Sequence, residues 1–177
     1  MQFEHTSKQY DVELESVRAK VLEMGGLVEQ QIVNALESLT TADVNLAKDV
    51  MARDARVNAL EVQVDEDCSH IIARRQPAAR DLRMIMMMVK TITDLERIGD
   101  EATKIARTAQ RIYEQDRMYK PRFNEIKSMV GLVREMLRTS LDSFARLDVS
   151  QTVEVAKQDE QVDEQFRAAM RQLITFM

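Results

Sequence analysis

Residues 24–61, "MGGLVEQQIVNALESLTTADVNLAKDVMARDARVNALE", fall without a gap on residues 129–166, "MVGLVREMLRTSLDSFARLDVSQTVEVAKQDEQVDEQF", when the chain is shifted by 105 positions (24 against 129). Met24 meets Met129, Gly26-Leu27-Val28 meets Gly131-Leu132-Val133, Leu36 meets Leu141, and Asp43-Val44 meets Asp148-Val149. Val50, Asp54 and Val57 meet Val155, Asp159 and Val162. A self-match of fixed period marks a duplicated structural unit. The fold of one copy therefore predicts the other.

The unit reads as helical. Leu14, Val17, Val21, Met24, Val28, Ile32, Ala35 and Leu39 recur every three or four residues, the apolar stripe of an amphipathic helix. Gly25-Gly26 falls inside that stripe, and each interior glycine costs about 1 kcal/mol, so the pair is expected to interrupt the helix. Thr40, Thr41 and Asp43 offer capping side chains for a second helix, with Leu46, Val50, Val57, Leu60, Val64, Cys68 and Ile71 inward. That helix should end before Pro77, with Arg74 and Arg75 complementing the dipole of its last turn. A third helix is expected over 77–114, with Leu82, Ile85, Val89, Ile92, Leu95, Ala102, Ile105, Ala109 and Ile112 inward.

Short connections force neighbouring helices to run antiparallel. The expected fold is all-α, two tandem three-helix bundles. Residues 9–115 form the first, and residues 121–177 supply the first two helices of the second. The helix equivalent to 77–114 is missing from the second unit, leaving Val155, Val162, Phe166 and Met170 short of a partner. Either the chain is a piece of a longer protein, the simpler reading, or another chain supplies the helix.

Composition agrees. Across 177 residues, 45% are hydrophobic and 31% charged, which suits a folded chain rather than a disordered one. Only four Gly and two Pro occur and Trp is absent, a composition that favours long helices over turn-rich sheets. The net charge of -5 argues against nucleic acid, whose phosphates call for clustered Lys and Arg. The single Cys68 allows no internal disulfide. The N-terminus lacks the layout of a secretory signal, and the longest apolar run, "MIMMMV" (84–89), is too short to insert in a membrane. A soluble cytoplasmic protein is expected.

The chemistry-bearing stretch is "TDLERIGDEATKIAR" (93–107). Glu96 and Asp100 stand four apart, so they share a helical face about 5–6 Å apart at Cβ, and Gly99 between them admits the close approach of something. Asp54 and Asn58 repeat the spacing on the second helix, as do Asp159 and Asp163 in the second unit. Oxygen-only pairs on adjacent helices suit hard cations or iron-type centres. A solvated face, or an ion-pair lattice with Arg97 and Lys104, fits the same spacing.

Other features are weaker. "DCSH" (67–70) is an acid-x-x-His spacing, but carboxylate-bridged di-iron bundles need two such motifs, and His5 is the only other histidine. His70 is therefore expected in packing or a terminal turn rather than as a ligand. Arg74, Arg75, Arg80 and Arg83 gather at a hairpin tip, either capping the helix or forming a docking surface for an acidic partner. Most of Met84, Met86, Met87 and Met88 are expected in the core, with at least one partly exposed. No Gly-rich phosphate cradle, nucleophile elbow or Cys-His pair is visible, so the chain does not read as an enzyme. The alternative is a carboxylate-bridged di-metal enzyme in a helical bundle.

"DLERIGDEATKIAR" (94–107), preceded by "ARRQPAARDLR" (73–83) and by the opening "ELESVRAKVLEMGGLVEQQI" (13–32), resembles the PhoU family of phosphate-signalling accessory proteins. That resemblance spans essentially the whole chain. It implies tandem three-helix bundles, each with an E/D-x-x-x-D motif that binds iron- or zinc-type metal clusters in some members. It further implies Glu96 and Asp100 as metal ligands, Asp54 opposite them with Asn58 offering only a neutral carbonyl, and Asp159 and Asp163 in the second half. The motif expected on the last helix of that half lies beyond this chain. The implied role is a cytoplasmic negative regulator, often a homodimer, linking the ATPase subunit of the phosphate ABC transporter to the sensor kinase of the phosphate regulon.

Overall fold

The computed structural model describes residues 2–114 and 123–175, with side chains from residue 8 to residue 171 within those ranges. They form α1 (Gln2–Thr41), α2 (Val44–Arg75), α3 (Ala79–Glu114), α4 (Asn124–Arg146) and α5 (Thr152–Thr175), with no strand among the described residues. The all-α expectation is met. Helices α1, α2 and α3 pack against one another, while α4 lies on α1 and on α5.

The predicted break at Gly25-Gly26 does not occur, since α1 runs unbroken from Gln2 and so also starts ahead of residue 9. Burial outweighs propensity here: Val21, Met24 and Val28 are each 0% exposed and hold the helix on both sides of the pair. Gly25 itself is buried, and a Cβ built there would meet Leu141 Cδ2 of α4 at 2.5 Å. Gly26 has nothing within 4 Å of the same position. One glycine of the pair thus lies against Leu141 of α4, and the other faces open space. The predicted unit boundaries at residues 115, 121 and 177, and the side chain of His5, lie outside the described residues.

Of the three capping side chains expected for α2, Thr40 and Thr41 instead end α1 and donate to the Glu37 carbonyl at 3.3 and 2.8 Å, which leaves Asp43 as the cap. The Asp43 carboxylate accepts the Leu46 N–H at 2.9 Å and caps α2, and Gln76 closes it in a left-handed conformation (φ 47°) ahead of Pro77. At the far end Tyr113 Oη donates to the Leu39 carbonyl at 2.6 Å, tying α3 to α1. The core is the meeting of Val17, Val21, Met24 and Val28 with Val50, Val57 and Val64 and with Ile85, Met88 and Ile92. Leu82, expected inward, is 37% exposed. It sits in the first turn of α3, beyond the reach of the core. Of the four methionines Met88 is fully buried, Met84 half-buried, and Met86 and Met87 exposed, so the core takes fewer than expected.

Helix α4 is fixed to α1 by polar contacts as well as by Leu141. Arg18 Nη2 donates to the Ala145 carbonyl at 2.7 Å, and Glu29 pairs with Arg138 at 2.6 Å and Arg134 at 3.4 Å. A cleft of about 700 Å³ opens between α3, α4 and the start of α5, lined in part by Val133, Leu137 and Phe144. Their repeat counterparts Val28, Ile32 and Leu39 are buried in the first bundle. Of the α5 stripe expected to lie open, Phe166 and Met170 are exposed while Val155 and Val162 are half-buried.

Candidate functional site

Packing geometry brings the acidic shoulders of α2 and α3 together. Val57, Leu60 and Val64 point into the core, which leaves Asp54 and Glu61 half-buried beside them. On α3 the buried Leu95, Gly99 and Ala102 likewise leave Glu96 and Asp100 half-buried on the shoulder. Burial pushes the Glu96 carboxyl above its usual range, and the charges of Asp100, Glu61 and Asp54 push it further, with Arg97 opposing. Asp54 and Glu96 therefore share one negative field. Arg97 and Lys104 form ion pairs with Asp94 (4.0 Å) and Glu101 (2.8 Å), on the outer face.

The neighbour admitted by Gly99 is Gln31 of α1. Its side chain is buried (3% exposed), and Nε2 donates to Asp54 Oδ1 at 3.1 Å. A Cβ on residue 99 would stand 2.9 Å from Gln31 Oε1 and 3.7 Å from Asp54 Oδ1. Gln31 Oε1 has no hydrogen-bond partner. A buried amide oxygen left unpaired costs about 1–3 kcal/mol, so the chain keeps a destabilising polar group beside its acids.

The donor chemistry fits a hard cation: carboxylate oxygens on adjacent helices, mutually repelling, with an orphaned neutral oxygen at their margin. Glu96, Asp100, Asp54 and Glu61 are the residues that would hold it. Among the described residues no three His, Cys, Asp or Glu side chains stand close enough to grip one ion as they are placed, so side-chain rotation is part of any binding. Asn58 is exposed at the edge.

The remaining sequence candidates lie elsewhere. Asp159 and Asp163 are exposed on α5, which packs only on α4 among the described helices, and Asp163 accepts from Arg167 Nη2 at 2.9 Å. Asp67 pairs with Lys20 at 2.6 Å while His70 is exposed, so the acid-x-x-His spacing forms no ligand pair. Arg75 is held by Glu13 through two hydrogen bonds, 2.8 and 3.2 Å, leaving Arg74, Arg80 and Arg83 as the exposed members of the tip cluster. No helix among the described residues is long and apolar enough to cross a membrane.

Sequence reasoning missed Gln31 and Glu61. Glu61 lies seven residues after Asp54 on the same helical face, a spacing that reading by heptads would have found. Gln31 is a polar residue inside a buried row, between Val28 and Ala35.

The chain is similar to known proteins along nearly its whole length. The PhoU domain pattern matches residues 21–109 and 126–177. The phosphate-specific transport system accessory protein PhoU of Escherichia coli (strain K12) is 44% identical over 173 residues, 98% of this chain and 71% of that protein. The homologue of Pseudomonas putida is 46% identical over 174 residues, 98% of this chain and 67% of that protein. Among solved structures, PhoU from Pseudomonas aeruginosa superposes with a TM-score of 0.90 at 44% identity, covering 95% of this chain and 80% of that one. The phosphate transport system regulatory protein PhoU from Streptococcus pneumoniae gives 0.86 at 26% identity, covering 95% and 78%.

Proposed function

The chain belongs to the PhoU family, and on that premise we propose that it is an accessory regulator of phosphate transport rather than a catalyst. The observation that carries this reading is the match of fold and sequence together: one superposition spans 95% of the chain at 44% identity. Relatives of this similarity are named accessory proteins of the phosphate-specific transport system. In the proposed role the bundle is a rigid cytoplasmic platform, homodimeric, that contacts the ATPase subunit of the phosphate transporter and the regulon's sensor kinase. Its output is contact, and the regulon is damped when phosphate is plentiful.

The acidic face of α2 and α3 is proposed to bind an iron- or zinc-type metal ion through Glu96, Asp100 and Asp54. A bound cation would neutralise the charge gathered there, making this face a different partner surface with and without metal. The like-charge crowding around Glu96 supports this reading. Asp159 and Asp163 are proposed as the corresponding half-site of the second unit.

Complementation tests the regulatory role. In a bacterium lacking its own family member, expressing this chain should lower a phosphate-starvation reporter in phosphate-rich medium. A reporter that stays high with the protein at normal abundance contradicts the assignment.

A further inference from the structure

We propose that Gln31 positions Asp54 for the cation site, and that Gly99 is a glycine because it makes room for the Gln31 amide. The inference rests on the reading of the α2–α3 acids as a metal site. Three observations meet at one point. Gln31 reaches from α1 into the α2–α3 junction and donates from Nε2 to Asp54 Oδ1 at 3.1 Å. Its side chain is 3% exposed. Its Oε1 has no partner and lies 2.9 Å from where a Cβ on Gly99 would be.

An amide whose N–H is used and whose oxygen is orphaned is a poor device for packing, because an apolar side chain of the same length would fill the space without a stranded acceptor. The repeat shows that the unit does not require an amide at this position. Gln31 falls on Met136 (31 + 105), a half-buried residue of α4 that lines the cleft and carries no amide. Glu61 likewise falls on Phe166 (61 + 105). The two halves share a backbone plan, but the amide and the extra acid belong to the first alone.

A carboxylate that accepts a fixed N–H on one oxygen is held in one rotamer and presents its other oxygen outward. Such partners, one step removed from the ligands, typically change metal affinity about 10- to 100-fold when deleted. In this chain the carboxylate is Asp54, the partner is Gln31, and the ligand class is a divalent cation that favours oxygen.

The test titrates Mn²⁺ and, separately, Zn²⁺ into metal-free protein by calorimetry, for wild type, Gln31→Met, Gly99→Ala and Glu96→Gln, with a melting curve for each. Glu96→Gln should lose affinity as a ligand variant. Gln31→Met should lose about tenfold or more with its melting temperature kept, a combination that a purely structural role does not produce. Gly99→Ala, which pushes the amide off Asp54 from the other side, should lose affinity in parallel. It also decides the matter if Gln31→Met fails to fold. Wild-type affinity in Gln31→Met and Gly99→Ala, with Glu96→Gln impaired, overturns the role of Gln31 and leaves the carboxylate site standing. No uptake of either ion by wild type, or equal uptake by Glu96→Gln, overturns the site itself and this inference with it.

Discussion

Gly25 of α1 and Leu141 of α4 are in direct contact: a Cβ on residue 25 would sit 2.5 Å from Leu141 Cδ2 and 2.7 Å from Cδ1. The two repeat units are therefore joined at a glycine, with the Glu29–Arg138 and Arg18–Ala145 contacts on either side of it along α1.

Gly25→Ala should be less favourable than Gly26→Ala, because the Leu141 side chain must swing aside to admit the extra carbon and gives up packing against α1. Gly26→Ala, with open space around it, should stabilise by about 0.5–1 kcal/mol through lower backbone entropy in the unfolded chain. Denaturant titrations of the two variants check the pair. Equal behaviour would contradict a packing role for Gly25.

The same glycines show what the sequence reveals and what it hides. Helix periods, the Asp43 cap and the stop before Pro77 are local signals, and each is found where the residues place it. Whether Gly25-Gly26 breaks a helix depends on the partners from α2 and α3 that bury Val21, Met24 and Val28, and no local rule weighs that. At the acids, the four-residue spacing of Glu96 and Asp100 was legible, whereas Gln31 was not. A glutamine in a buried row declares its purpose only when its partner Asp54 is seen on another helix.

The Glu13–Arg75 pair links α1 to the end of α2 and gives a pH signature. The hydrogen bonds from Arg75 hold the Glu13 carboxyl below its ordinary range. A depressed carboxylate contributes stability above its unfolded pKa and loses it as pH falls through the folded value. The melting-temperature difference between wild type and Glu13→Gln should therefore be full at pH 7 and close as pH falls through and below the ordinary carboxylate range. A gap independent of pH would show that the pair contributes no ionic stabilisation.

Glu96 behaves with the opposite sign. Its carboxyl is raised by burial and by three neighbouring acids, so its ionised form is a cost to the metal-free fold that grows as pH rises through its titration. Metal-free Glu96→Gln should melt at a higher temperature than wild type at neutral pH, and the difference should shrink in acid. A lower melting temperature would mean that Glu96 is a structural support rather than a member of a repelling cluster.

Cys68 reports on the integrity of the first bundle. It is 1% exposed, and burial, with Asp65 and Asp67 adding to it, pushes its thiol up to about 11. Thiolate is the reactive form, so labelling by a thiol reagent at pH 8 should proceed only as fast as the bundle opens. Rapid labelling of folded protein would contradict the packing of α2 described above.

The central claim is that the acids shared by α2 and α3 hold a metal ion. Elemental analysis of protein purified without added metal or chelator tests it most directly, comparing wild type with the double variant Glu96→Ala, Asp100→Ala. Iron or zinc in stoichiometric amount in wild type, lost in a folded double variant, is the predicted result. Metal content that is the same in both, whether present or absent, would contradict the claim.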